Sequence, residues 1–145
     1  MPLIRERLEN KSQTGQKMYW LVNQFAADIG NYAQMPLNRY FDFVRKIPYR
    51  RDKKGEEWVV RPGLLLKEFP YMDCKKKGTL IGAWLRMNGI PFRFIGASEL
   101  PSGRIHHVFP QAMINGEWLN VDATYPHYKL FAHKPRLTRA EILKP

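Results

Sequence analysis

The chain has one cysteine, Cys74, in 145 residues. One thiol cannot close an internal disulfide, so a stapled secreted fold is excluded. A cysteine-rich structural zinc site is excluded for the same reason. No run of about 18 apolar residues occurs, so no transmembrane helix is expected. The N-terminus, Met-Pro-Leu-Ile-Arg-Glu-Arg-Leu-Glu-Asn, alternates apolar and charged residues and lacks the apolar stretch of a signal peptide. The expected compartment is therefore the cytoplasm. Acidic residues are also scarce: 13 Asp and Glu stand against 24 Lys and Arg, a formal net charge of +11. That excess points either to an anionic partner or simply to solubility. What is plentiful is apolar material, at 44% with 13% aromatic, enough for a packed core.

Residues 1–16 are polar and read as a flexible arm ahead of a single domain over 17–130, with a basic tail over 131–145. Met18, Leu21, Val22, Phe25, Ala26 and Ile29 recur at helical spacing, and Gly30 is a plausible stop. Asn38 is placed to cap a second helix with Phe41, Val44 and Ile47 inward and Pro48 ending it. Tyr49-Arg-Arg-Asp-Lys-Lys-Gly-Glu-Glu reads as a solvated loop, with a binding loop as the alternative. Trp58-Val-Val is a short strand, and Leu64–Leu66 an apolar turn or short helix. A helix from Cys74 has Leu80, Ile81, Trp84 and Leu85 as its stripe and stops at Asn88-Gly89. Phe92-Arg-Phe-Ile-Gly-Ala alternates as a strand. His107–Met113 and Glu117–Val121 form a hairpin around Asn115-Gly116. Helices first, then an antiparallel meander, predict an α+β fold.

Cys74 opens its helix, with Asp73 as the N-cap candidate. The first-turn N–H groups of a helix are unpaired and partly positive, which favours a thiolate and offers donors to an oxyanion. Set against this is the ordinary role of cysteine as a small buried apolar residue. A thiol enzyme needs a base and an orienting group as well. With a two-residue turn, Ile114 faces Glu117, Phe109 faces Asp122, and His107 faces Thr124. His107 and Asp122 are then diagonal neighbours on one face, about 7–8 Å apart at Cα. His106 falls on the other face. Pro110 cannot donate to a ladder, and a bulge there would reverse the choice in favour of His106.

The stretch 73–124 resembles the transglutaminase-like superfamily of papain-type thiol enzymes. The likeness rests on Met72-Asp73-Cys74, on Gly78 four residues on, and on Leu85-Arg-Met-Asn-Gly-Ile-Pro-Phe-Arg-Phe. It continues in His107-Val-Phe and in Gly116-Glu-Trp-Leu-Asn-Val-Asp-Ala-Thr. Upstream, Val44-Arg-Lys-Ile-Pro-Tyr-Arg-Arg-Asp is similar to the tyrosine-containing lead-in of such domains. Together these cover roughly 44–126. The resemblance implies a papain-like core with N-terminal helices on an antiparallel sheet, and a Cys74–His107–Asp122 triad with no metal or organic cofactor. It implies hydrolysis or acyl transfer at peptide or amide bonds through an acyl-enzyme, hydrolysis being favoured because water is always present. Asp73, Trp58 and Gln24 are the candidates near the oxyanion.

Two departures from the pattern matter. Met72 replaces the usual glycine, and Lys75, Lys76 and Lys77 occupy positions that are often acidic. Such cations would either tune the thiol and draw an acidic peptide, or form a solvated basic turn. A different function on the same fold is a catalytically silent basic module that binds nucleic acid or belongs to a virion or prophage assembly. A zinc hydrolase using His106, His107, His127 and His133 lacks any recognisable ligand spacing.

Overall fold

The computed structural model describes residues 5–8, 11–53 and 57–145. Its centre is a helix, α4 (Cys74–Met87), buried on nearly all sides from Lys75 to Leu85. Around α4 pack α1 (Lys11–Phe25), a 3-10 segment over Ala26–Gln34, α2 (Leu37–Lys46) and α3 (Pro62–Glu68). A four-stranded antiparallel sheet covers its remaining side. In chain order the strands are β3 (Phe92–Ser98), β4 (His107–Ile114), β5 (Glu117–Asn120) and β6 (Arg139–Ile142); in space they run β5-β4-β3-β6. A separate ribbon pairs β1 (Arg5–Leu8) with β2 (Glu57–Val60). The fold is α+β.

Two glycines let α4 approach its neighbours. A methyl group on Gly82 would lie 3.0 Å from Val22 Cγ2 and 3.1 Å from Phe94 Cζ. On Gly78 it would lie 3.0 Å from Met18 Cε. Gly78 meeting Met18 and Gly82 meeting Val22 show that α1 and α4 run parallel. The main core then forms where Tyr40, Phe41 and Val44 of α2 meet Leu80, Ile81, Trp84 and Leu85 of α4, with Leu65 of α3. The Tyr40 hydroxyl, wholly buried, donates to the Leu80 carbonyl at 2.7 Å.

The hairpin has the expected register. Ile114 pairs with Glu117 and Gln111 with Asn120. Asn115 and Gly116 take φ of 52° and 80°, the left-handed conformations that this turn demands. Beyond the ladder, Val121 N–H donates to the Pro110 carbonyl at 2.9 Å, in the same register. Pairing with β3 runs unbroken from Ala112 through Pro110 to His107. Pro110 therefore causes no bulge, and the alternation survives to His107.

Several expectations are corrected. The segment 1–16 is not an arm where it is described: Arg5–Leu8 pairs with β2, and helix begins at Lys11. Its polar residues lie outside the apolar stripe that marked Met18 as the start. The α-helix ends at Phe25 and continues as 3-10 helix beyond Gly30. Pro36, not Asn38, precedes α2, whose first turn has no side-chain cap. The segment 131–145 is not a tail. Residues 139–142 form β6 against β3, Leu143 is buried, and the Tyr19 hydroxyl donates to its carbonyl while accepting from Phe94 N–H. Lys54–Glu56 of the expected loop lie outside the described residues. Among the described residues, no helix is long and apolar enough to cross a membrane.

Candidate active site

Asp73 is the N-cap of α4, with extended backbone and a carboxylate that accepts Lys76 N–H at 3.1 Å. Cys74 is the first residue of the helix and half-buried, packed against the apolar cluster that includes Met18, Val59 and Val108. Its own N–H lies where no preceding turn supplies a carbonyl. His107 is the first residue of β4, so it stands at the rim of the sheet. Asp122 follows β5, two residues after its last strand position.

The structure brings His107 and Asp122 into contact. Nε2 of His107 lies 2.7 Å from Oδ2 of Asp122. The other carboxylate oxygen accepts the N–H and the hydroxyl of Thr124. Nε2 is thus committed to the carboxylate, and the Cys74 side chain acts on the ring in the same direction, favouring its charged form. Burial works against a charged imidazole. It is outweighed by the hydrogen bond to Asp122 and by the influence of Asp122 and Cys74, and the ring is pushed up to about 10. Burial likewise opposes charge on Asp122, but the His107 hydrogen bond and the nearby cations hold its carboxyl well below the usual range. The His107 ring also stacks on Phe109, with centroids 5.7 Å apart. His106 is engaged elsewhere: its Nε2 accepts Glu99 N–H at 3.0 Å.

The three lysines after Cys74 are not a solvated turn. Their side chains point inward, at 6%, 3% and 1% exposure. Lys75 pairs with Asp73, and with Asp52 at 3.5 Å; Lys76 pairs with Asp52. Lys77 Nζ donates to the Thr124 carbonyl at 2.7 Å and the Arg45 carbonyl at 3.2 Å. Burial pushes Lys77 down to about 8 despite the attraction of Asp122. Cations at a helix start oppose its dipole. Here Asp73 and Asp52 offset them, so none of the three is displayed to an acidic substrate.

The oxyanion candidates fare differently. Asp73 carries only acceptors and is occupied by Lys75 and Lys76, so it cannot donate to an oxyanion. Trp58 sits on β2 beside Val59 of the Cys74 cluster, with its backbone N–H given to Asp52 at 2.8 Å. Gln24 is exposed at the end of α1. The parallel packing sets Cys74 level with Thr14, leaving Gln24 ten residues, or about 15 Å, farther along. Gln24 is therefore not brought to the site.

Sequence reasoning did not find Tyr125, Tyr128 and Lys134. The Tyr49 and Tyr125 rings stack at 4.6 Å, and Tyr128 packs on Tyr125 at 5.1 Å. Burial pushes Tyr49 up to about 12, and the Cys74 charge acts in the same direction. Lys134 Nζ lies 2.7 Å from Asp122 Oδ2. Nothing in the weakly patterned segment after Tyr125 signals that contact. Among the described residues, no three potential metal ligands cluster.

No family model matches the chain, and no curated protein does so. A solved structure to which it is similar is that of a candidate cysteine protease from Cytophaga hutchinsonii. The two are 19% identical, with 80% of this chain and 39% of that one covered, at a TM-score of 0.45. The chain thus spans well under half the length of that protein. At that level of likeness, the residues themselves carry the functional reading.

Proposed function

We propose that this chain is a transglutaminase-like thiol hydrolase of peptide or amide bonds, working through Cys74, His107 and Asp122. The observation that carries the reading is the 2.7 Å His107–Asp122 bond, made on Nε2, with Cys74 acting on the same ring from the start of α4. Asp122 fixes the tautomer by accepting from Nε2, which leaves Nδ1 to exchange a proton with the thiol. With its proton passed to His107, the Cys74 thiolate Sγ attacks the carbonyl carbon. The resulting oxyanion takes the N–H of Cys74 at the helix start. The C–N bond breaks, and His107 returns the proton to the departing amine. Water, deprotonated by the same imidazole, then attacks the thioester, releasing the acid and restoring the thiol.

Intact-mass analysis after incubation with a peptide vinyl sulfone tests this. The expected result is one covalent adduct on Cys74 in the wild type and none in Cys74→Ser, with His107→Ala at least about 100-fold slower. Equal labelling rates in the wild type and His107→Ala would overturn it.

The other reading, a silent nucleic-acid module, draws on Arg50, which lies 5.5 Å over the exposed Tyr71 ring. It loses Lys75–Lys77, whose ammonium groups are buried. DNA retention that falls steeply with salt would favour it.

A further inference from the structure

Asp122 has a partner for which the thiol chemistry above has no role. Lys134 Nζ lies 2.7 Å from Oδ2, the oxygen that His107 Nε2 also approaches at 2.7 Å. The two nitrogens are therefore no farther apart than twice that distance, 5.4 Å. Lys134 comes from the irregular segment between β5 and β6, with its side chain only 14% exposed. Its ammonium also sits 4.8 Å from the Phe109 ring centroid and 4.5 Å from that of Tyr128. A carboxylate and two aromatic faces thus fix one cation beside the imidazole.

We propose that Lys134 is a positioning residue for this site: it offsets part of the charge of Asp122, so that the His107 imidazolium depends more on the Cys74 thiolate for its balance. The inference rests on the triad reading. Four charges are involved, on Asp122, Lys134, His107 and Cys74. With Lys134 present and the ring protonated, they sum to zero only while the thiolate is there. Without Lys134 the carboxylate alone would satisfy the imidazolium. The ring would then hold its proton more tightly and yield it less readily to a leaving amine.

Other charged groups surround the ring and bear on its titration. Lys77 of α4 acts on Asp122, and Glu99 acts on Tyr128. Tyr49 and Arg51 face Cys74 from the loop after α2. Both phenols are raised, so they stay neutral across the working range. Lys77, at about 8, titrates within it. It is common to every variant compared, so its effect cancels in their differences.

The test follows the His107 ring by long-range proton–nitrogen NMR against pH in a Cys74→Ala background. That background removes the thiolate and isolates Lys134. Adding Lys134→Met is expected to raise the His107 midpoint by about one unit, the size of a like charge at this range. Adding Lys134→Arg is expected to leave it in place. An unmoved midpoint in Lys134→Met, or an equal rise in Lys134→Arg, overturns the proposal. Should Lys134→Met not fold, Lys134→Gln carries the same expectation and the same refutation. In protein that retains Cys74, His107→Ala is alkylated in parallel. Unchanged alkylation there refutes the triad reading whatever Lys134 does. A sensitive thiol with an unmoved midpoint refutes the role of Lys134 alone.

Discussion

His107 Nε2 and Asp122 Oδ2 are 2.7 Å apart, across a strand register that a two-residue turn fixes eight residues from the histidine. In the proposed mechanism this pairing orients the ring, because it selects which nitrogen is left for Cys74. Asp122→Asn keeps the shape but presents the imidazole with an amide that can donate. The expected outcome is a folded protein whose Cys74 alkylation at pH 6 slows by at least about tenfold. Thermal unfolding with a labelling time course checks both halves.

The pair also makes stability depend on pH. His107 is raised from 6.5 to about 10 in the folded protein. Its stabilising contribution is therefore complete below pH 6.5, shrinks as pH rises, and is gone above about 10. Asp122 is lowered, so its contribution is present above 3.8 and is lost as pH falls through its folded value. Denaturant titrations of wild type and His107→Gln should give a stability difference that narrows steadily from pH 7 to pH 10.

Asp52 offsets two buried lysines at the start of α4, with Lys75 at 3.5 Å and Lys76 in direct contact. Asp52→Asn removes a carboxylate that both ammonium groups share. Removing one partner of a buried ion pair costs about 3 kcal/mol, or roughly 10 °C in a domain of this size. Calorimetry should register that loss.

The two close-packed glycines of α4 should respond unequally to the same methyl group. At Gly82 the methyl meets Val22 and the Phe94 ring, both stiff, and overpacking costs about 1–3 kcal/mol against about 1 gained from alanine helix propensity. At Gly78 its one tight contact is the terminal methyl of Met18, which can turn aside. Gly82→Ala is expected to lower the Tm, and Gly78→Ala to leave it unchanged or raise it.

Local pattern made the site's backbone legible. Asn115-Gly116 announces the turn, alternation carries the register back along β4, and that alone separates His107 from His106. Cys74 at a helix start follows from Asp73 before it and the apolar stripe after it. What pattern could not show was pairing across distance. Lys75, Lys76 and Lys77 read as a solvated run because hydropathy counts their charges without knowing that Asp52, Asp73 and two backbone carbonyls wait for them. Lys134 was hidden for the same reason, since its segment has no periodicity and its partner lies twelve residues upstream. The polar start of α1 and the strand over 139–142 also escaped, because tertiary pairing rather than propensity holds them.

The central claim is that His107 activates Cys74. Its most direct test is the rate of iodoacetamide alkylation of Cys74 from pH 5 to pH 10, in the wild type and in His107→Ala. The account predicts rapid alkylation already at pH 6 in the wild type, and a His107→Ala profile displaced toward alkaline pH like that of an ordinary free thiol. Superimposable profiles for the two proteins would contradict it.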